Sequence, residues 1–136
     1  MIEQIFQLFT DGGSRGNPGL AASACLLFDA TGKTIALAGQ YLGIATNNQA
    51  EYQALLIGIK LAKKHGVKTL DIFMDSELII KQFLGEYKIK DANLKQIKDK
   101  VDFEILGNLN VKFHHIPRKE NYLADSLVNI ILDQVQ

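Results

Sequence analysis

A glycine-rich segment that begins with an aspartate lies between two apolar runs near the start of the chain. The runs, residues 5–9 and 21–28, have the length and composition of β-strands, so Asp11 stands where a strand ends. The segment from Gly12 to Gly19 is rich in Gly, Ser and Asn, which permit a tight turn and the close approach of a ligand. An Asp-Gly pair is also ordinary hairpin chemistry. Alone, this feature leaves both a loop and a ligand site open.

The order of the apolar segments predicts an α/β fold with a mixed five-stranded sheet flanked by helices. Strands are predicted at residues 3–10, 20–28, 33–41, 69–74 and 110–116. Helices are predicted from a cap at Thr46–Asn48 to about His65, from about Glu77 to Leu84, from about Ala92 to Leu106 and from about Glu120 to Leu132. The first three strands have short connections, which favours an antiparallel meander, and the helical crossovers favour parallel pairing of the later strands.

Composition indicates a globular intracellular protein. Of the 136 residues, 47% are hydrophobic, and no apolar run approaches the ~20 residues that span a membrane. We therefore expect no membrane partner and a cytoplasmic location, in which Cys25 is a buried core residue. The 15 basic residues balance 15 acidic ones, so any contact with nucleic acid must be local or carried by metal ions.

Four carboxylates are predicted to converge at one edge of the sheet: Asp11, Glu51, Asp75 and Asp125. Asp11 and Asp75 follow the carboxyl ends of strands that we expect to be parallel neighbours, where ligands of open α/β sheets bind. Glu51 and Asp125 lie on helix faces whose other residues are apolar and should pack against the sheet.

Each acid alone also has a simple structural explanation. Asp11 fits a turn, Asp75 a helix cap, Glu51 a first-turn partner of the helix dipole and Asp125 a solvated face. Four acids at one point would repel each other, and protonation would require large pKa shifts. Two Mg²⁺ ions with oxygen ligands would resolve the repulsion and suit the attack of water on a phosphodiester.

Four sequence blocks together resemble the type I ribonuclease H family. They are Thr10–Gly13 with Gly16–Gly19, Thr46–Tyr52, Asp75–Ser76, and Asn121 with Ala124–Asp125, in the family's order over residues 9–129. The resemblance implies a ribonuclease H-like fold and an endonuclease that cuts the RNA strand of an RNA/DNA hybrid, leaving 5′-phosphate and 3′-hydroxyl ends. It also implies that Asp11, Glu51, Asp75 and Asp125 hold two Mg²⁺ or Mn²⁺ ions.

The same resemblance implies the substrate contacts. Ser14, Gly16 and Asn17, with Gly12 in the same loop, would lie at the RNA strand near its 2′-hydroxyl groups. Thr46, Asn47 and Asn48 would lie at the minor groove and a phosphate of the DNA strand. Such small polar groups can recognise the shape of a hybrid without net positive charge.

Several positions depart from the family pattern. Glu77 stands where the family often has Gln, and is either a substrate contact or a first-turn helix residue. His115 is the candidate for an auxiliary histidine that some members have, although strand alternation favours a structural role. Arg118 either binds phosphate or is a solvated loop charge. The basic protrusion of the family is reduced to five lysines, for which a solvated helix face is favoured: Lys88, Lys90, Lys95, Lys98 and Lys100.

We expect residues 1–136 to form a single ribonuclease H catalytic domain that acts as a free-standing monomer, because the chain begins at Met1 and has no linker-like ends. A domain cut from a larger polyprotein is the alternative. Two rival functions keep the fold: a weak or silent hybrid-binding module, and a nuclease that also acts on double-stranded RNA. The presence of all four acids argues against silence, because converging carboxylates without metal would only destabilise the fold.

Overall fold

The computed structural model describes residues 4–136 and confirms the predicted element order, in which one sheet is combined with four helices. The strands are β1 Ile5–Arg15, β2 Gly19–Phe28, β3 Thr34–Ala45, β4 Thr69–Met74 and β5 Asn110–His115. The helices are α1 Asn47–Lys64, α2 Glu77–Phe83, α3 Ala92–Ile105 and α4 Tyr122–Val135, the last preceded by a short 3₁₀ turn at Arg118–Asn121. None of these helices has the length and apolar character needed to cross a bilayer.

The five strands form one mixed sheet in the order β3-β2-β1-β4-β5. β1 pairs with β2, and β2 with β3, in antiparallel fashion; β1 pairs with β4, and β4 with β5, in parallel. This is the predicted meander extended by parallel strands. Since β1 and β4 are parallel neighbours, their carboxyl ends meet at the same edge of the sheet.

The first strand is longer than predicted. It was expected to end at residue 10, but its pairing with β2 continues from Asp11 opposite Ala24 to Arg15 opposite Leu20. The glycine-rich segment faces the small residues Ala21 to Ala24 of β2, three alanines and a serine, so small side chains on both strands let the backbone ladder continue where composition indicated a turn. The predicted start at residue 3 lies outside the described residues.

Two other boundaries differ from the predictions. β3 continues past residue 41 to Ala45, with an irregular register opposite Ala21 and Ala22 that accommodates an extra residue. The last helix begins at Tyr122 and not at Glu120, because residues 118–121 form the 3₁₀ turn and Asn121 occupies the cap position.

Helices pack on both faces of the sheet. The main core lies between the sheet and the helices α1 and α3, and includes Leu8, Leu55, Ile59, Ile72 and Val101. A smaller core joins α4 to β2 through Ala22, Ala24, Val128 and Leu132. Cys25 is buried in the main core as predicted, and burial raises the pKa of its thiol to about 12.

Candidate active site

Three carboxylates meet at the carboxyl end of the two central parallel strands. Asp11 belongs to β1, Asp75 directly follows β4, and Glu51 lies in the second turn of α1, which crosses the sheet beside β1. Each side chain places an oxygen within 4.8 Å of the other two. The structure therefore brings together three of the four predicted acids.

The fourth acid, Asp125, lines the same cavity but is not part of this close group. The cavity has a volume of about 280 Å³ and is lined by residues of β1, α1 and α4. Asp125 lies in the first turn of α4, where the Nη2 atom of Arg118 is 3.7 Å from its Oδ1 atom. Asp125, the acid outside the close group, thus has the positive charge of Arg118 nearby.

A contact between backbones holds Glu51 close to Asp11. A Cβ atom added to Gly12 would lie only 2.2 Å from the carbonyl carbon of Ala50. Only glycine lets β1 approach the first turns of α1 this closely. Gly12, which we predicted as a substrate residue, therefore has a packing role next to the acids.

Burial and mutual repulsion raise the proton affinity of the group. Burial, followed by the charges of the three neighbouring acids, raises the pKa of Asp11 to about 8. Burial, followed by the charge of Asp75, raises the pKa of Glu51 to about 7, although a hydrogen bond from Ser76 opposes the shift. The folded chain thus holds more negative charge in this space than the carboxylates tolerate without protons or a cation.

This donor set fits hard divalent cations. All three members of the close group offer carboxylate oxygens, the ligands that Mg²⁺ and Mn²⁺ prefer. A bound cation would offset the repulsion that raises the pKa values of Asp11 and Glu51. The acids can therefore hold a metal, with Asp125 as a further donor at the edge of the cavity.

A buried asparagine orients one of the acids, a role that the sequence analysis did not assign. The Nδ2 group of Asn121 donates to the carbonyl oxygen of Thr10 (2.9 Å) and to Oδ2 of Asp75 (3.0 Å), and the residue is only 1% exposed. These bonds connect the start of α4 to the carboxyl ends of both β1 and β4. The sequence signal that could have identified Asn121 was its position four residues before Asp125.

The predicted substrate residues meet at the tip of the β1–β2 hairpin and the beginning of α1. The Ser14 amide donates to Oδ1 of Asn47 (2.7 Å), and the Asn47 amide donates to Oδ1 of Asn17 (3.0 Å). Thr46 caps α1 in a capping box with Gln49. The hairpin tip is thus joined to the helix that carries Glu51.

Two further tip residues are exposed. Gly16 has a φ of +87°, which favours glycine, and turns the chain at the end of β1. Asn48 lies on the exposed side of the first turn of α1. Both remain available for a ligand that contacts this edge.

Comparison with known proteins agrees with the fold and the motifs. A family model described as reverse transcriptase-like matches residues 9–130. A ribonuclease HI of Halobacterium salinarum is 37% identical over 125 residues, which are 92% of this chain and 63% of that protein. The crystal structure of ribonuclease H1 from Halobacterium salinarum superimposes with a TM-score of 0.91 at 35% identity, covering 96% of this chain and 98% of that one.

The chain belongs to the ribonuclease H family. A further member, LC11-RNase H1 isolated from compost by a metagenomic approach, was solved in complex with an RNA/DNA hybrid. It is 38% identical, with a TM-score of 0.89, over 96% of this chain and 98% of that one. The first curated relatives are longer, and this chain spans 34% to 63% of their length.

Two residues singled out against the ribonuclease H pattern, Glu77 and His115, do not line the cavity. Glu77 is 59% exposed on α2 and forms an ion pair with Lys81 (2.9 Å), which lowers the pKa of its carboxyl. His115 ends β5 opposite Met74 and is exposed, near enough to Glu77 for its charge to contribute to that lower pKa.

Two arginines line the ribonuclease H cavity together with the acids. Arg118 was predicted as a possible phosphate ligand, and its side chain is 82% exposed. Arg15 was not predicted, because it lies in the segment interpreted as a turn. Its guanidinium contacts three residues of the last helix turns, Asn129, Asp133 and Gln136, which lie more than a hundred positions later in the sequence. No local sequence pattern predicts a contact between residues so far apart in the chain.

Proposed function

We propose that this chain is an endoribonuclease that hydrolyses the RNA strand of RNA/DNA hybrids and leaves 5′-phosphate and 3′-hydroxyl ends. The observation that carries the proposal is the meeting of Asp11, Glu51 and Asp75 within 4.8 Å, in a chain of the ribonuclease H family. The hybrid bound by the related LC11 enzyme supports the substrate class.

The cofactors of this proposal are two divalent cations, Mg²⁺ or Mn²⁺. The three close carboxylates would hold them, with Asp125 as a fourth ligand. The oxygen donors and the raised pKa values of Asp11 and Glu51 support this assignment. When bound, such ions activate the attacking water and stabilise the leaving oxygen of a phosphodiester.

The residues around the acids fix the positions of these candidate metal-ligating carboxylates before the substrate binds. Asn121 holds Oδ2 of Asp75 through its amide, and Gly12 allows the approach of α1 that places Glu51 beside Asp11. Positions fixed by the core of the fold need no ordering during the reaction. All of these groups belong to one copy of the chain, which supports a monomer as the acting form.

Hybrid recognition would depend on small neutral groups at the hairpin tip. Asn17 and Asn47 use their Oδ1 atoms within the tip, so their Nδ2 groups are the donors left for a ligand. The Oγ atom of Ser14 lies 2.8 Å from the carbonyl oxygen of Ala45 and 2.9 Å from that of Gly16, so its one hydrogen is donated within the tip and its oxygen is left as an acceptor for a 2′-hydroxyl. Such contacts distinguish RNA from DNA by the 2′-hydroxyl and read no base sequence.

The test is cleavage of end-labelled 20-bp substrates: an RNA/DNA hybrid, a double-stranded RNA and a double-stranded DNA of the same sequence. Each is incubated with Mg²⁺, with Mn²⁺ or with excess chelator, and the product ends are assigned by phosphatase treatment. We expect cutting of the RNA strand of the hybrid only with metal, and products with a 5′-phosphate. Binding of the hybrid without any cutting would overturn the proposal in favour of a silent module. Cutting of double-stranded RNA as well would widen the substrate class.

A further inference from the structure

Arg15 lies at the end of the cavity that is remote from the acids. Asp11, Gly13 and Arg15 alternate along β1 and point to the same face of the sheet, on which α4 packs. Gly13 lies between them and also lines the cavity, opposite Val128 of α4. Four residues of extended strand separate the two Cα atoms by about 13 Å. Arg15 is thus too far away to touch the reacting phosphate but lies on the same surface.

The guanidinium of Arg15 is held by weak, exposed partners. Its Nη2 atom lies 2.7 Å from Oδ1 of Asp133 and 3.2 Å from Oδ1 of Asn129, and its Nη1 group donates to Gln136. The Asp133 side chain is 68% exposed. Solvent-exposed ion pairs of this kind contribute little free energy, since water and salt screen them.

Arg15 differs from the other charged residues that line the cavity in where its charge acts. The charged residues of its lining are the four carboxylates and two arginines, Arg15 and Arg118. Arg118 is 3.7 Å from Asp125 and lowers the pKa of Glu51, so its charge acts on the acids. Arg15 is therefore the lining cation whose guanidinium lies away from the acids, against the last turns of α4.

We propose that Arg15 binds a backbone phosphate adjacent to the one that is cleaved, and that Asp133 competes with this phosphate for the guanidinium. The inference rests on the proposed function. A planar guanidinium pairs with two phosphate oxygens at once, and a phosphate pair at a partly enclosed surface is stronger than a pair with an exposed carboxylate. Bound hybrid then displaces Asp133, and Arg15 fixes the register of the strand between the hairpin tip and the acids.

The test compares three variants by steady-state cleavage of the hybrid across a range of KCl concentrations. Arg15→Ala is expected to raise KM about tenfold with kcat unchanged, and to reduce the slope of log(kcat/KM) against log[KCl] by roughly one unit. Asp133→Asn is expected to lower KM two- to fivefold, because the competitor loses its charge. Arg15→Lys keeps the charge but not the two parallel hydrogen bonds, so it should keep the salt slope and recover part of the affinity.

The opposite effects of Arg15→Ala and Asp133→Asn separate this role from a structural one. Both variants break the same ion pair, so a purely structural contact would change their melting temperatures and KM values in the same direction. Lys64→Ala, which removes one exposed charge at the end of α1 outside the cavity, is the control for net charge. An unchanged KM and salt slope in Arg15→Ala, or a raised KM in Asp133→Asn, would overturn the inference. Failure of the parent chain to cut any substrate would instead count against the proposed function.

Discussion

At the scale of single residues, the buried acids are costly for stability. Asp11 is 8% exposed, and its pKa is raised from 3.8 to about 8. The folded state therefore binds this proton more tightly than the unfolded state does. Its contribution to stability is fully present below pH 4 and is lost as the pH rises through about 8. Asp11 is retained in the core at the expense of stability at neutral pH, as expected for a ligand of a cation.

This linkage predicts the behaviour of Asp11→Asn in the absence of metal. The variant should be more stable than the parent chain at pH 8 by at least about 1 kcal/mol, or roughly 3–5 °C in Tm, and the gain should disappear near pH 4. Thermal unfolding in chelator at pH 4, 6 and 8 measures it. Asp29→Asn is the control, because the hydrogen bonds of Thr31 and Lys33 lower the pKa of Asp29 and reverse the sign. A gain of equal size at every pH would show that repulsion among the acids is not its cause.

A second consequence concerns Mg²⁺, whose binding competes with protons. Ligand carboxylates must be ionised, so added Mg²⁺ should raise the Tm of the parent chain more at pH 8 than at pH 5. In Asp11→Asn the increase should be smaller at both pH values. An equal increase in the two proteins would place the cation elsewhere on the chain.

At the scale of elements, the site depends on how closely β1 and α1 approach each other. A Cβ atom at Gly12 would meet backbone atoms of Ala50 and Glu51 at 2.2–2.5 Å, and backbone cannot move aside as a flexible side chain can. The same atom at Gly13 would lie 3.4 Å from Cγ1 of Val128, an ordinary contact. Alanine substitutions at these two adjacent glycines can therefore be compared directly, because one would clash with backbone atoms and the other would not.

We expect Gly12→Ala to lower the free energy of unfolding by at least about 2 kcal/mol, whereas Gly13→Ala should change it by less than about 1 kcal/mol. Urea unfolding monitored by circular dichroism measures both. Because the displaced α1 carries Glu51, hybrid cleavage by Gly12→Ala should fall at least tenfold even where the variant is fully folded. Equal stability of the two variants would mean that the approach of α1 to β1 is looser than the structure has it.

The elements also divide into those that the sequence could predict and those that it could not. Apolar periodicity and short connections were sufficient for the sheet order, for α1 and for β4, because these features depend on local pattern and on the handedness of crossovers. The extension of β1 to Arg15 was not predictable, since glycine and serine indicate a turn unless a partner strand of small residues lies opposite. The pairing of β1 with β2, and not the local composition, therefore determines where β1 ends.

As with the fold, the sequence predicted part of the site. The strand ends placed Asp11 and Asp75 together, and the helix face placed Glu51 near them, as the structure has it. Asp125 lies outside the close group, after the 3₁₀ turn and 3.7 Å from Arg118, and neither the turn nor the ion pair has a periodic signal. The contacts of Arg15 with Asp133 and of Asn121 with Thr10 join residues more than a hundred positions apart, and only the folded chain reveals them.

At the scale of the whole molecule, zero net charge is combined with a strong local separation of charge. The four carboxylates and two arginines that line one cavity lie within a chain of 15 basic and 15 acidic residues. A polyanionic substrate would gain little from the field of such a protein at long range. Under the proposed function, affinity for a hybrid would therefore come from contacts made after docking, at the hairpin tip, at Arg15 and at the acids through cations.

We propose that the close carboxylate group performs the cleavage, and a comparison of two aspartate variants tests this most directly. Asp75→Asn and Asp71→Asn change two acids four residues apart, of which Asp71 lies within β4 and Asp75 directly follows it. Asp71 pairs with His114 (3.0 Å) and lies outside the acid group, whereas Asp75 belongs to it. Asparagine keeps a hydrogen-bond acceptor in both positions, for Nδ2 of Asn121 in one case and for His114 in the other.

The measurement is the rate of cleavage of the RNA/DNA hybrid in Mg²⁺ by the parent chain and by these two variants, with circular dichroism spectra to verify that all three are folded. We expect that Asp71→Asn retains activity within about threefold, while Asp75→Asn loses at least about a thousandfold with its fold intact. Cleavage by Asp75→Asn at the rate of the parent chain would contradict the account.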